Sequence, residues 1–245
     1  MKQFVIGVCL VIVFIAFESS AKIKVLILSG RNNHDWKTTT PFLENLYSES
    51  GLFEVKITEQ PDTLTQQDFQ DLDVVVSNWS SFPDKTYRWP VETENALLEF
   101  IENGGGFVTF HASTTAFYEW PEFKTISTGA WIDGTHHGKQ SATEVSIQNK
   151  KHPITKGMGD FTIEDELWID AERNMSFEVL GTATNMELQQ KGIENQPAIL
   201  VNDYGKGRMF HTILGHGVKN MQNADFQALL LRATEWSATG KVKRK

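Results

Sequence analysis

Four histidines stand beside apolar runs or glycines, and their imidazoles are the groups in this chain best suited to chemistry. They are His34, His111, His137 and His216. The first two follow the apolar runs 25–28 and 107–110, and the other two each precede a glycine. Histidine exchanges protons near neutral pH, and a carboxylate such as Asp35 or Glu166 could orient or tune it. These residue types therefore favour general acid–base chemistry.

The same side chains have a second use, as ligands of a divalent metal. A histidine-rich zinc or manganese site would be satisfied by a carboxylate together with His34, His111, His137 and His216. Because these residues are scattered along the chain rather than paired at a diagnostic spacing, the sequence favours metal-free chemistry. We expect neither a flavin nor a nicotinamide cofactor, and the chain has no Gly-x-Gly-x-x-Gly fingerprint.

Such side chains can act together only if the fold brings them to one place. Short runs rich in Val, Ile and Leu alternate with longer amphipathic segments, which is typical of a parallel sheet covered by helices on both faces. We therefore predict an α/β fold with a doubly wound, mostly parallel sheet. The expected strands are 25–28, 53–57, 74–76, 107–110, 145–147, 177–180, 198–201 and 209–213.

Helix ends are predicted from capping residues and prolines. Thr40 is expected to cap the first long helix, with Pro41 at its first position. Pro90 is expected to open a second helix, with Val91 on its buried face. Asn223 is expected to cap the last helix.

In a doubly wound sheet, polar residues after the strands converge at the carboxyl edge, where open α/β sheets bind ligands. The residues expected to bind substrate there are His34, Asp35, Trp36, Asn78, Lys139 and His216. Aromatic residues accompany these clusters, namely Trp36, Trp79, Trp89, Phe117, Trp120 and Trp131. Sugars stack their apolar faces on such rings, and their hydroxyls need amide, carboxylate and imidazole partners. For any single ring, a place in the core is the competing interpretation.

Residues 1–21 have the pattern of a secretory signal. Lys2 precedes the apolar run 4–17, and Ala21 occupies a small-residue position of a signal-peptidase site. We therefore expect a secreted or periplasmic protein. The sole cysteine, Cys9, lies inside this segment, so the chain after it has no disulfide, thiol nucleophile or thiolate metal site.

The charge of the chain bears on its partners. The formal net charge is −8, which disfavours nucleic acid and anionic membrane surfaces. We expect a small sugar or glycoside as the partner, and an oligomer is left open. Residues 22–242 are expected to form one domain, followed by a short basic tail at 243–245.

The order of the motifs resembles the ThuA-like family, named for a trehalose-utilisation protein. The matching segments are 33–36, 77–78, 103–112, 137–139, 152–154, 165–167, 205–208 and 214–216. The resemblance spans about residues 23–242 and implies a flavodoxin-like fold of the class I glutamine amidotransferase type, without its cysteine nucleophile. It implies sugar catabolism, including disaccharides oxidised to 3-keto forms. The residues that it implicates are His34, Asp35, His111, His137, Glu166 and His216. Trp168 departs from the family pattern, in which tyrosine is commoner.

These observations together predict an exported enzyme acting on a glycoside or a 3-keto sugar. His111 or His137 would be the general base, with Glu166 as its orienting or acidic partner. A 3-keto group acidifies the neighbouring C–H, so such a base could promote elimination or epimerisation. Hydrolysis by a metal-bound water is a second route. The alternative is a non-catalytic carbohydrate-binding or accessory protein on an amidotransferase-like scaffold.

Overall fold

The apolar runs of the sequence form the strands of one large sheet. The structure is a computed structural model that describes residues 21–173 and 176–243, so nearly all of the predicted signal segment lies outside the described residues. Within those two ranges, no helix is long and apolar enough to cross a membrane. The strands are β1 (Ile23–Leu28), β2 (Phe53–Thr58), β3 (Val74–Ser77), β4 (Gly106–Phe110), β5 (Gly129–Ala130), β6 (His136–His137), β7 (Ser141–Ile147), β8 (Phe161–Asp165), β9 (Trp168–Ile169), β10 (Glu172–Arg173), β11 (Glu178–Asn185), β12 (Gln196–Tyr204) and β13 (Gly207–Thr212). The helices are α1 (Trp36–Glu49), α2 (Gln66–Phe69), α3 (Val91–Glu102), α4 (Pro121–Ile126), α5 (Met186–Lys191), α6 (Val218–Met221) and α7 (Ala224–Thr239).

The main sheet has nine strands in the order β2-β1-β3-β4-β13-β12-β11-β7-β8. The strands from β2 to β13 pair in parallel, and those from β13 to β8 pair antiparallel. The parallel half has the flavodoxin-like order, in which the connection reverses direction beside β1. The predicted α/β class is therefore confirmed, with an antiparallel extension that makes the sheet mixed.

Helices cover both faces of the parallel half because its strands are apolar on both faces. In β1, Val25 and Ile27 join the core that α1 and α7 cover, whereas Leu26 and Leu28 join the core beneath α3. Burial of both faces explains why these strands appear in the sequence as continuous rather than alternating apolar runs.

The first helix begins one turn earlier than predicted, at Trp36 rather than Pro41. The carbonyl of Asp35 accepts the backbone N–H of Thr39, so the turn before the proline is already helical. Thr40 does not cap the helix, because its hydroxyl lies 2.6 Å from that of Ser29 in the interior. Pro41 is accommodated inside the helix.

Two other expectations about the elements are wrong in detail. Val91 is exposed at 59 %, because it is the first residue of α3 and points away from the sheet. The antiparallel strands are longer than their apolar runs, since β11 and β12 contain eight and nine residues. Strand β8, which alternates buried and exposed residues, was not among the predicted strands.

The predicted cap of α7 is confirmed, because the side chain of Asn223 accepts hydrogen bonds from two backbone N–H groups.

Most of the aromatic residues singled out in the sequence belong to the core. A single buried cluster under the loops contains Trp79, Trp89, Phe117 and Trp120. The rings of Trp79 and Phe117 stack with their centroids 5.1 Å apart. For these four rings the core interpretation is correct.

Candidate active site

Three histidines and a glutamate meet above the carboxyl edge of the parallel strands. His34 follows β1, His111 follows β4, His216 follows β13, and Glu166 directly follows β8. One nitrogen or carboxylate oxygen from each of the four lies within 4.8 Å of the others. We call these four residues the histidine–glutamate cluster. The structure thus brings together side chains that are up to 182 residues apart in the sequence.

His111 is held in a strained turn with a fixed ring orientation. Its φ of 40° is rare for a residue with a side chain, and a short 3-10 turn begins at this residue. Its Nδ1 lies 2.8 Å from the carbonyl oxygen of Ile213, which can only accept a hydrogen bond. Nδ1 therefore carries the proton, and in the neutral ring the lone pair of Nε2 points into the cluster.

Asp165 positions the loop that carries His216. Its carboxylate accepts the backbone N–H groups of Gly215 at 2.7 Å, Glu166 at 2.8 Å and His216 at 3.3 Å. The carboxylate is fully buried, and burial raises its pKa despite these donors and nearby His111. Asp165 therefore supports the cluster without lying in it.

The contact between Asp165 and Gly215 requires the sheet to curl. Four strand spacings separate β8 from β13, which in a flat sheet is about 19 Å. The three-residue extension from β13 to Gly215 spans at most about 10 Å. A bulge around Gly181, where β11 pairs with β12, supplies local bending. The antiparallel half thus folds its outer edge back over the site.

The two carboxylate oxygens of Glu166 have different partners. Its Oε2 lies 3.6 Å from Nε2 of His111 and 3.4 Å from Nδ1 of His216. Those two ring nitrogens are 3.1 Å apart. Its Oε1 lies 3.0 Å from Nδ1 of His137, which is outside the cluster. Glu166 thus joins the imidazoles of the cluster to a fourth, more exposed one.

His137 has the tautomer expected of a general base. Its Nδ1 faces two oxygens, Oε1 of Glu166 at 3.0 Å and the carbonyl of Gly138 at 2.8 Å, so this nitrogen carries the proton. The lone pair of the neutral ring is therefore on Nε2. The side chain is 41 % exposed, compared with 2 % for His111. Of the two candidate bases, only His137 is open to a ligand.

The environment of the cluster shifts its pKa values in opposite directions. Burial opposes ionisation of Glu166, but the contacts from His111 and His216 outweigh it and hold the pKa of that carboxyl well below its usual range. The Glu166 contact outweighs burial at His216 and raises the pKa of that imidazole. Burial, with repulsion from the neighbouring imidazoles, lowers the pKa of His34 to about 3. His34 is therefore neutral at physiological pH, and Glu166 is ionised.

A cavity of about 230 Å³ opens onto the cluster. This volume is below the roughly 300–1,000 Å³ of typical pockets for drug-sized ligands, so it suits a ligand about the size of one sugar ring. Its lining consists of Asn33, His34, Phe82, Thr115, Trp131, His137, Glu166, Trp168 and His216. Two larger cavities lie elsewhere, beside α3 and beside α7, and no histidine lines them. We assign the site to the smaller cavity because the imidazole and carboxylate side chains that could transfer protons or bind a metal line it.

Two tryptophans form apolar walls of the cavity. The rings of Trp131 and Trp168 meet edge to face at 5.1 Å, and Trp168 also lies 5.1 Å from the ring of His111. The indole Nε1 of Trp168 is buried and has no hydrogen-bond partner in the described part of the chain. A buried donor without a partner costs about 1–3 kcal/mol, which a ligand oxygen could offset.

Four of the residues expected to bind substrate do not line this cavity. Asp35 is exposed at the start of α1, and Trp36 lies beneath the ammonium of Lys37. Lys139 is exposed and acts electrostatically on Glu187. Asn78 is buried under the loop after β1, and its amide donates to the hydroxyls of residues 39 and 40. The positions of Asp35, Trp36 and Lys139 give no support for direct ligand contact, whereas Asn78 lines a void of about 10 Å³ together with His34, His111 and His216.

Sequence reasoning missed several residues that form the site. Phe82 lines the cavity, and no pattern in the sequence distinguishes it. Asn33 and Thr115 also line it, and they lie in the polar segments after β1 and β4 that the sequence places at this edge. Trp168 carried a signal, because it departs from the residue common in similar proteins. The role of Asp165 has no signal in the sequence, because it depends on backbone groups 50 residues away.

The fold and site define a class of protein, an α/β domain with a flavodoxin-like parallel half and a cluster of imidazoles at the carboxyl edge of its strands. Residues 24–237 match the model of the ThuA family, described as trehalose utilisation, and the chain belongs to this family. The family resemblance stated from the sequence is thereby confirmed. The family links the chain to carbohydrate metabolism.

Solved structures agree with this assignment. A ThuA-like protein from Parabacteroides merdae has 31 % sequence identity and a TM-score of 0.80, with 92 % of this chain and 93 % of that chain covered. A ThuA-like protein from Bacteroides uniformis has 20 % identity and a TM-score of 0.69, with 94 % and 98 % covered. A GMP synthase protein from Thermoplasma acidophilum shares the fold alone, at 12 % identity and a TM-score of 0.52 over 88 % and 96 %. No curated protein matches the chain.

Proposed function

We propose that this protein is an exported enzyme of carbohydrate catabolism that moves a proton on a single sugar ring of a glycoside or 3-keto glycoside. The observation that carries the proposal is the pair of His137 and Glu166 at 3.0 Å on the wall of a cavity of about 230 Å³. Export rests on the sequence pattern of residues 1–21 alone.

In this mechanism His137 is the general base, and its Nε2 takes the proton. Glu166 accepts the Nδ1–H of His137, so it fixes the ring orientation and stabilises the imidazolium that forms. This is the arrangement by which a carboxylate supports a catalytic histidine in a triad. Because Glu166 is ionised over the whole physiological range of pH, its support does not depend on a second proton transfer.

A 3-keto sugar is the substrate that one weak base can most readily activate. His137 removes the proton from C2, the electron pair of that C–H bond forms the C1=C2 double bond, and the glycosidic oxygen leaves from C1. The departing oxygen takes up a proton, which the imidazolium can supply, so the catalytic group returns to its starting state. Trp131 and Trp168 would hold the apolar face of the ring.

The test is proton exchange at the carbon next to the ketone. p-Nitrophenyl 3-keto-glucoside is incubated with the protein in D₂O, with deuterium at C2 followed by NMR and p-nitrophenol followed by absorbance. We expect catalysed exchange or release, and a loss of about 10²–10⁴-fold in His137→Asn with ligand affinity within a few-fold. The matched control is His136→Asn, since His136 is the exposed neighbour whose ring, among the residues that the structure describes, bonds to the carbonyl of Gly134 and not to Glu166.

Two outcomes would contradict the proposal. If His137→Asn turned over the keto sugar at the wild-type rate, His137 would not be the base. If the wild-type protein bound the sugar and neither exchange nor release occurred, the protein would be a carbohydrate-binding or accessory protein instead.

A further inference from the structure

We propose that the histidine–glutamate cluster is a binding site for one divalent transition-metal ion, of the Zn²⁺ or Mn²⁺ kind, with His34, His111, Glu166 and His216 as its ligands. The sequence offered four histidines and a carboxylate for such a site while favouring metal-free chemistry. The structure brings His34, His111 and His216 together with Glu166 and leaves His137 outside the group. The catalytic use of the ion rests on the proposed function, whereas its binding does not.

The spacing of the donor atoms carries the inference. Around a tetrahedral Zn²⁺ ion with bonds of about 2.0–2.2 Å, neighbouring donor atoms lie about 3.3–3.6 Å apart. Nε2 of His111, Nδ1 of His216 and Oε2 of Glu166 are separated by 3.1, 3.4 and 3.6 Å. These three atoms therefore already have nearly the separations that one ion requires, and a nitrogen of His34 lies within 4.8 Å of them.

The surroundings of the ligands have the features of a metal site. His111 donates its other ring N–H to the carbonyl of Ile213 at 2.8 Å, which fixes the tautomer that leaves Nε2 free to bind a cation. Asp165 fixes the backbone at Glu166 and His216 through three hydrogen bonds from N–H groups. Such supporting bonds hold ligands in position before an ion binds.

His34 supplies an independent reason. Its Nδ1 is buried and has no hydrogen-bond partner within residues 21–173 and 176–243. A buried ring nitrogen without a partner is uncommon, and in the tautomer that leaves its lone pair on Nδ1 a bound cation would satisfy it. The rings of His111 and His216 lie 4.8 and 4.4 Å from the His34 ring and meet it edge to face, so the three imidazoles converge on one point.

The chemistry of the donors selects the kind of ion. Three imidazoles and one carboxylate suit Zn²⁺, Mn²⁺ and similar ions, whereas Ca²⁺ and Mg²⁺ prefer oxygen ligands only. Zn²⁺ accepts five ligands as well as four, so four protein ligands leave room for a substrate oxygen. Such an ion would polarise the carbonyl or a hydroxyl of the bound sugar, beside the base His137.

The experiment measures metal binding by itself. The full chain is stripped with a chelator, and ZnCl₂, MnCl₂ and MgCl₂ are titrated in separate calorimetric runs, with bound metal counted by elemental analysis. We expect one Zn²⁺ or Mn²⁺ ion per chain at micromolar Kd or tighter, and no comparable Mg²⁺ binding. Glu166→Gln and His216→Asn should each weaken binding by about 100-fold or more, whereas His137→Asn and His136→Asn should bind within about 3-fold of wild type.

The outcomes separate this inference from the proposed function. Absence of Zn²⁺ and Mn²⁺ binding, or binding that Glu166→Gln and His216→Asn leave unchanged, would overturn the metal site. If those two variants do not fold, the visible spectrum of the unmodified protein with Co²⁺ decides, since the intense bands of four- or five-coordinate Co²⁺ are expected and the weak spectrum of the hydrated ion would refute the site. Turnover of the keto sugar by metal-free protein would refute only the catalytic use of the ion, and metal binding without turnover would refute only the proposed reaction.

Discussion

Asp165 offers the sharpest test of how the site is held together. Its two carboxylate oxygens accept the N–H groups of Gly215, Glu166 and His216 at 2.7, 2.8 and 3.3 Å. In Asp165→Asn one oxygen becomes an NH₂ group that faces backbone donors, so at least one of these bonds is lost. Each hydrogen bond to a charged group contributes about 1.5–3 kcal/mol, and a donor is left buried without a partner. We therefore expect a loss of about 3 kcal/mol in the free energy of unfolding.

That loss should be visible as thermal unfolding at a lower temperature. For a domain of this size, 1 kcal/mol corresponds to about 2–4 °C in Tm, so Asp165→Asn should unfold about 6–12 °C below wild type by circular dichroism or calorimetry. The control is Asp71→Asn, an exposed acid that should change Tm by less than about 2 °C. If both variants unfolded at the same temperature, the argument that Asp165 anchors the loop of His216 would be wrong.

Two further predictions concern parts of the fold away from the cavity. A Cβ at Gly106 would lie 2.6 Å from the backbone carbonyl carbon of Ser237, so Gly106→Ala must displace α7 and should lower the free energy of unfolding in urea by about 1–3 kcal/mol. The control is Gly159→Ala, where a Cβ would meet nothing within 4 Å, and equal stabilities of the two variants would refute the steric argument. The ring of His152 packs 4.8 Å from that of Trp236, and burial lowers the pKa of this imidazole. As the pH falls below 6.5, the unfolded chain therefore binds more protons than the folded protein, and the free energy of unfolding decreases until the pH passes the folded-state pKa. His152→Gln should therefore flatten the pH dependence of Tm below 6.5, whereas a decline as steep as in wild type would refute this linkage.

The parallel half of the fold could be predicted from the sequence because its elements are local. Strands buried on both faces appear as continuous apolar runs, and the glycines at 104 and 105 separate α3 from β4. The histidines in the segments that follow such strands, His34, His111 and His216, could therefore be assigned to one edge of the sheet. Once the strand directions in a sheet are known, the strand ends that share an edge are known as well, so this assignment needs no distances between the loops.

The antiparallel half could not be predicted in the same way. Strand β8 lies at the far edge of the sheet, and only the curling of β11, β7 and β8 brings Glu166 back to His216. The curling arises from strand twist and from the bulge at Gly181. The periodicity of hydrophobic residues in the sequence predicts neither of these features, so the curling could not be predicted. The same holds for His137, whose short strand pairs with β9 across this extension. Glu166 and His137 were candidates by residue type, and their partners became evident only in the structure.

The position of His111 after β4 explains why His111 and His137 have different roles in the proposed site. A strand that ends in a sharp turn with positive φ is where an α/β enzyme presents a nucleophile, and His111 occupies such a turn with a φ of 40°. Yet its Nδ1 is bound to the carbonyl of Ile213 and its side chain is 2 % exposed, so the ring can neither swing nor meet a substrate directly. The rigid position therefore suits a group that must hold something in place, such as the carboxylate of Glu166 or an ion. His137, on the antiparallel half of the sheet, is then the group that transfers the proton. Its ring is exposed, and its Nδ1 is held by hydrogen bonds while its Nε2 is open. On this reasoning, removing the His111 imidazole should weaken the cluster first and turnover only as a consequence, whereas removing that of His137 should affect turnover alone.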